Sequence, residues 1–157
     1  MSLYNQDSKS KEDKILPLRI VTGGNDNKVK IWSFVNNTFK EENEIKDFHK
    51  NWVRDVAWLN YIGSRYDTIA TCGEDKSLFI FKYKEGNWTK VFEYNEFNSP
   101  VLSVSWSHCG SYLAASSGNN EVKFFMESLE GVWNLINKID DNGNMVPENL
   151  NENMNKN

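Results

Sequence analysis

Apolar residues recur along the chain in short runs, separated by Gly, Asn and Asp, and no run keeps a convincing helical period. Three segments carry the same order of features: RIVTGGNDNKVKIW over 19–32, TIATCGEDKSLFIF over 68–81 and YLAASSGNNEVKFF over 112–125. Each reads as an apolar strand, a turn of small and polar residues, and a second strand ending in an aromatic. The closing aromatics, Trp32, Phe81 and Phe125, are 49 and 44 residues apart. A matched pair follows each: Phe39 with Ile45, Trp88 with Tyr94, Trp133 with Ile139, each six apart. That even spacing predicts both members on one face of a strand. A further strand precedes the second and third segments, WVRDVAW over 52–58 and VLSVSW over 101–106. EGVWNLINKI resembles an amphipathic helix, but its alignment with EGNWTKVFEY makes it a strand. One full unit is therefore four strands in about 45 residues, the period of a β-propeller blade. The predicted fold is all-β, an incomplete propeller of about three four-stranded blades. Leu78 and Ile80 alternate with Phe79 and Phe81, as expected of a blade packed against a neighbour on each side.

The expected organisation is a flexible segment over 1–17 and blades over 18–139, divided as 18–47 (partial), 48–97 and 98–139. A flexible Asn-rich tail follows over 140–157, where seven Asn and no aromatic occur. Six Trp and an aromatic content of 13% demand a packed core. The net charge of −4 argues against a nucleic-acid surface, which needs a clustered positive field. No apolar run approaches 18 residues, so no membrane-spanning helix is expected. Residues 1–15 lack the apolar core of a signal peptide. Cys72 and Cys109 lie 37 apart without a CxxC, the pattern of a reducing compartment.

His49, Thr71 and Asp75 invite reading as a catalytic triad, but a buried structural hydrogen-bond network is the better expectation. In the WD-repeat propellers that these units resemble, such a network joins a His before the first strand, a Ser or Thr on the second, an Asp in the following turn and a Trp closing the third. Here Phe81 replaces the Trp and cannot donate. The first unit keeps Thr22, Asp26 and Trp32. In the third, Asn119 or Asn120 takes the Asp place. Arg54 and Asp55 face opposite ways, and a salt bridge to the next blade is expected. His108 is expected in an exposed turn, and Cys72 as a small buried hydrophobe. Gly23 and Gly24 open a turn, not a phosphate loop. No catalytic residue or cofactor site is expected, nor a metal site, since two His and two Cys share no ligand spacing.

The stretch HKNWVRDVAWLNYIGSRYDTIATCGEDKSLFIF, His49 to Phe81, resembles the fifth blade of the small WD-repeat subunit of the COPII outer coat, the Sec-thirteen family. The insertion containing Ile62 and Gly63, the later SVSWS and ESLEGVW from Glu127 to Trp133 resemble it too. The resemblance covers residues 18–139. It implies a six-bladed open propeller and no catalytic activity. A large solenoid subunit of the COPII outer cage, or a solenoid nucleoporin of the Y-shaped complex, would donate strands forming a seventh blade. The implied setting is a scaffold for ER-to-Golgi protein transport at the cytoplasmic face of the endoplasmic reticulum, on COPII-coated vesicles and at the nuclear pore complex. Membrane contact would be indirect, through the coat.

The match is to the C-terminal half, roughly blades four to six, and the first of these lacks its innermost strand. Closure takes about four to eight blades, so uncovered apolar faces are expected. The chain reads as a fragment or truncated product, completed by another copy of itself or by a partner. Val101, Val122, Phe124 and Trp133 belong to the blade expected to border a donated one. The alternative function is a peptide-recognition adaptor using the loop rim of the propeller.

Overall fold

The computed structural model describes residues 18–59, 66–139 and 142–147. Among these, twelve strands and no helix occur. The first sheet comprises β1 (Arg19–Gly23), β2 (Val29–Val35) and β3 (Thr38–Ile45), in that order. The second orders β4 (Val53–Trp58), β5 (Thr68–Gly73), β6 (Leu78–Lys84) and β7 (Asn87–Tyr94). The third runs β12–β11–β10–β9–β8, with β8 (Val101–Trp106), β9 (Tyr112–Ser117), β10 (Val122–Glu127), β11 (Trp133–Ile139) and β12 (Met145–Pro147). Every pairing is antiparallel, as short hairpin connections require.

The turn after the first segment strand repeats in detail. Gly24 N donates to Lys28 O, Gly73 N to Ser77 O and Ser117 N to Glu121 O, at 3.1, 3.2 and 2.9 Å. Asn27, Lys76 and Asn120 take the left-handed conformation in these turns, with φ of 65°, 64° and 61°. The sequence repeat is thus a repeat of backbone geometry.

The sheets stack face to face through two apolar cores. Val29, Ile31 and Ile45 of the first sheet bury against Val53, Ile69, Phe79 and Phe81 of the second. Ala70, Cys72, Leu78 and Ile80 on its other face bury against Val101, Val104, Leu113, Phe125 and Trp133 of the third. The alternation of β6 between two neighbours is therefore as expected. Each large apolar side chain so buried contributes about 2 kcal/mol. β1 lies beside β4, and β4 beside β8, which puts these strands on the inner side.

Two expectations are corrected. The six-residue pairs do not share a face: Trp88 packs toward the first sheet and Tyr94 toward the third. A β-bulge causes this. Ile80 pairs Phe92 while Phe81 pairs Lys90, so Val91 is an extra residue that reverses the alternation. The same irregularity falls between Ile31 and Trp32 in the first sheet and between Phe124 and Phe125 in the third. The expected flexible tail over 140–157 is also not all tail. Met145–Pro147 form β12 on the outer edge of β11, with Val146 opposite Lys138, and an unpaired edge is a place where added strand pairing is gained. The expectations for 1–17, for the insertion at 60–65 and for 148–157 lie outside the described residues.

Candidate functional site

The segment before β4 delivers His49 to the turn after β5. His49 Nδ1 lies 3.0 Å from Asp75 Oδ2, and Nε2 lies 2.9 Å from Thr71 Oγ1. Asp75 also accepts from Lys50 N (2.8 Å) and Ser77 N (3.1 Å). Burial works against the Asp75 charge, but the bonds from His49 and Lys50 outweigh it and hold the carboxyl below its ordinary range. An ionised Asp75 fixes the tautomer: Nδ1–H donates to it, and Nε2 accepts from the Thr71 hydroxyl. Gly73 is required here, because a Cβ would sit 2.7 Å from Trp52 O and 2.9 Å from His49 Nδ1. The order Thr–His–Asp is that of a triad, yet Thr71 is 0% exposed and His49 6%. A nucleophile without exposed surface meets no substrate.

The other network residues do not assemble in the same way. Trp32 Nε1 donates to Thr22 Oγ1 at 2.9 Å. Asp26 stays in its own turn, accepting from Lys28 N at 3.3 Å. In the third sheet Asn119 Oδ1 accepts from Ser117 Oγ (2.7 Å) and Ser99 Oγ (2.9 Å). So Asn119, rather than Asn120, takes the Asp place.

Sequence reasoning passed over Lys123. It is 4% exposed and donates to Glu96 O (2.9 Å) and Tyr94 Oη (3.0 Å) of the neighbouring sheet's chain segment. It also pairs with Glu121 at 2.9 Å. Its ammonium stands 4.6 Å from the Phe97 ring centre. Burial alone would lower its pKa, but Tyr94 and Glu121 reverse that and raise it above the ordinary value. No sign in the local pattern marks it out, since Lys30 in the same repeat place bonds Glu41 at the surface.

Arg54 and Asp55 do part ways, but no salt bridge to the next sheet forms from them. Asp55 reaches the third sheet by accepting from Ser103 Oγ (2.8 Å) and Val104 N (2.9 Å). Its neighbour Arg54 turns to Glu74 (2.5 Å) and to the exposed Trp52 ring at 5.3 Å. Among the described residues, the ion pair that crosses this boundary is Lys82 with Glu127. His108 is exposed. Cys72 is fully buried, and burial pushes its thiol up to about 12. Exposed Cys109 is brought down to about 7 by bonds from Ser107 and Ser111. No group of three metal-ligating side chains occurs among the described residues.

Among the described residues, the faces left uncovered are the far faces of the two terminal sheets. Ile20, Phe34 and Phe39 of the first sheet are 38%, 40% and 45% exposed. On the third, Val122 and Phe124 are half-buried. Val101 and Trp133 belong to the same sheet but lie on its other face, buried against the second sheet.

Three stacked antiparallel sheets with a repeated turn define a WD-repeat propeller segment. The comparisons agree: residues 60–140 match the family described as the anaphase-promoting complex subunit 4 WD40 domain, and residues 4–33 match the WD domain, G-beta repeat. The chain belongs to the WD-repeat proteins, and within them to the SEC13 family. It is 38% identical to a SEC13 homolog of Dictyostelium discoideum over 79% of this chain and 41% of that protein. With the protein transport protein sec13 of Neurospora crassa the identity is 40%, over 78% and 41%. With the SEC13 homolog of Rattus norvegicus it is 35%, over 96% and 47%. The chain thus spans less than half the length of these relatives.

Proposed function

We propose that the chain is a non-enzymatic scaffold subunit in protein transport. In this reading it serves in the outer cage of the COPII coat, between endoplasmic reticulum and Golgi, and in the nuclear pore scaffold. It binds a solenoid partner by blade completion: partner strands pair with open backbone edges, and the outer sheet faces bury against them. The observation that carries the reading is the identity of 38–40% to proteins named SEC13 homolog and protein transport protein sec13. The far face of the third sheet supports it, as an apolar face prepared for a neighbour. The His49–Thr71–Asp75 network serves as a rigid clamp between strands. A pulldown with the chain from native extract tests the proposal. Recovery of a solenoid coat or pore protein is expected, and its consistent absence would overturn the reading.

One observation favours the second reading, a peptide-recognition adaptor. Trp52 is 44% exposed beside Arg54, and aromatic–Arg pairs are frequent anchors of recognition. Tight binding of a short peptide that is lost in Trp52→Ala, without any stable protein partner, would establish it over the first.

A further inference from the structure

We propose that Cys109 is a modification site, at which a small anionic peptide thiol is held as a mixed disulfide in the cavity between the second and third sheets. The cavity has a volume of about 330 Å³, within the range of small-molecule sites, about 300–1,000 Å³. Its wall includes Lys82 of the second sheet, Cys109 and Ser111 of the turn between β8 and β9, and Glu127 and Trp133 of the third sheet. The turn is firmly held. Ser107 N donates to Tyr112 O and Gly110 N to Ser107 O, both at 2.9 Å. Gly110 takes a φ of 72°, and a Cβ there would stand 2.8 Å from Leu59 Cδ1. The turn backbone thus packs closely on the chain that follows β4, and it sets Cys109 in the wall while leaving it exposed to solvent.

The groups around Cys109 suit a thiolate. Ser107 Oγ lies 3.4 Å from Cys109 Sγ. That hydroxyl accepts from Tyr112 N at 3.1 Å, which leaves its own O–H for the sulfur. Bonds from Ser107 and Ser111 bring the thiol down to about 7, where an attacking thiol is most effective near neutral pH. The other titratable groups of these surroundings are Lys82, Glu127 and Tyr66 of the wall and the exposed chain neighbour His108. Cys72 is the contrast, 0% exposed and pushed up to about 12.

Two features of the wall select the partner. Lys82 is its cation. It pairs with Glu127, but an ammonium carries three donors and can hold a second carboxylate. Trp133 is 5% exposed, and its Nε1–H is buried without a hydrogen-bond partner among the described residues. An indole nitrogen only donates, so it calls for an acceptor such as an amide carbonyl. A short peptide with free carboxylates supplies both.

The step is thiol–disulfide exchange. The Cys109 thiolate, its proton already lost to water, attacks one sulfur of a small peptide disulfide. A bond forms between Sγ and that sulfur as the disulfide bond breaks. The other half leaves as a thiolate with the electron pair and takes a proton from water. Cys109 is oxidised and the departing half reduced. The site is independent of the transport reading: adduct formation reports on one, partner recovery on the other.

Glutathione disulfide is the probe. The full chain is reduced, desalted and mixed with it near neutral pH, and the adduct is followed by intact mass and located by peptide mapping. Modification is expected at Cys109 and not at Cys72, and no adduct in Cys109→Ser. Hydroxyethyl disulfide, small and uncharged, is the reference. Lys82→Met and Trp133→Phe should each slow the reaction with glutathione disulfide roughly threefold, the size of one exposed polar contact, and leave the reference reaction unchanged. Glu127→Gln should hasten the reaction with glutathione disulfide. Ser107→Ala should slow both reactions near neutral pH and recover at alkaline pH, where the thiol ionises unaided. Circular dichroism checks that each variant keeps its strands. A Cys109 that reacts no faster in the folded chain than in urea, or a Lys82→Met that slows both disulfides equally or neither, would overturn the proposal.

Discussion

Where the second sheet holds the His49 imidazole between Asp75 and Thr71, the third holds the Phe97 ring against the Lys123 ammonium. His49 and Phe97 occupy one place, four residues before β4 and β8 respectively. Phe79 and Lys123 occupy another. In the second sheet the imidazole packs edge-on to Phe79 with ring centres 4.8 Å apart. In the third the aromatic and the polar group have exchanged places. The accompanying residues change with them. Thr71 becomes Ala115, Asp75 becomes Asn119, and Gly73, which a side chain would bring against His49, becomes Ser117. Burial at a repeat place is thus fixed by the fold, while the polar group placed there is free to differ if its partners move with it.

Removing either polar group should have the largest effect. Lys123→Ala strands the Glu96 carbonyl and the Tyr94 hydroxyl and opens space beside Phe97, a loss of about 3 kcal/mol. Asp75→Ala leaves His49 Nδ1–H, Lys50 N and Ser77 N without their acceptor, and about 2–3 kcal/mol is expected. Urea unfolding of the two variants measures both, and a change under 1 kcal/mol in either would break the equivalence of the two clusters.

The same two groups should give stability opposite dependences on pH. Asp75 has a folded pKa below its ordinary 3.8. Its contribution is complete above that value and lost as pH falls below it, through the folded pKa. Lys123 has a folded pKa above its ordinary 10.5. Its contribution is complete below that value and lost as pH rises above it. Thermal melts across pH should therefore show Asp75→Asn flattening only the acid limb and Lys123→Met only the alkaline limb. Equal effects on both limbs would show that neither group acts locally.

The contrast also marks what sequence patterns reveal. The strands, the turns and the alternation of Leu78 to Phe81 were legible because strand period and turn chemistry are local. The His49–Asp75 pairing was legible because it sits in a recurring order of residue types. The bulged residue Val91 was not, since one extra residue in an apolar strand leaves no mark on composition and reverses every later side chain. Nor was Lys123: EVKFF reads like NKVKIW, and only Tyr94 and Phe97, 29 and 26 residues earlier in the chain, decide that one lysine is buried and the other is not. The exchange of Asp55 from an expected salt bridge to hydrogen bonds has the same origin, because the partners Ser103 and Val104 lie on another sheet.

Trp32→Phe extends the comparison to the first sheet, giving it the residue that the second already has in Phe81. The loss is one hydrogen bond to Thr22 on a half-exposed face, about 0.5–1 kcal/mol. Chemical denaturation would resolve it. A loss of more than about 2 kcal/mol would show that Trp32 does more in the first sheet than Phe81 does in the second.

The smallest expected effect is a gain. Lys76 holds a left-handed φ of 64° where the other two turns hold Asn27 and Asn120. A left-handed backbone costs most side chains about 1 kcal/mol, and Asn less, because its short amide bonds locally. Lys76 takes part in none of the hydrogen bonds of the His49 cluster through its side chain, which Asp75 makes instead. Lys76→Asn should therefore relieve strain and raise stability by about 0.5 kcal/mol, read as a small rise in melting temperature with the acid limb unchanged. A destabilised Lys76→Asn would mean that the second turn is not the same device as the other two, and the repeat equivalence on which the two clusters are compared would fail at its hinge.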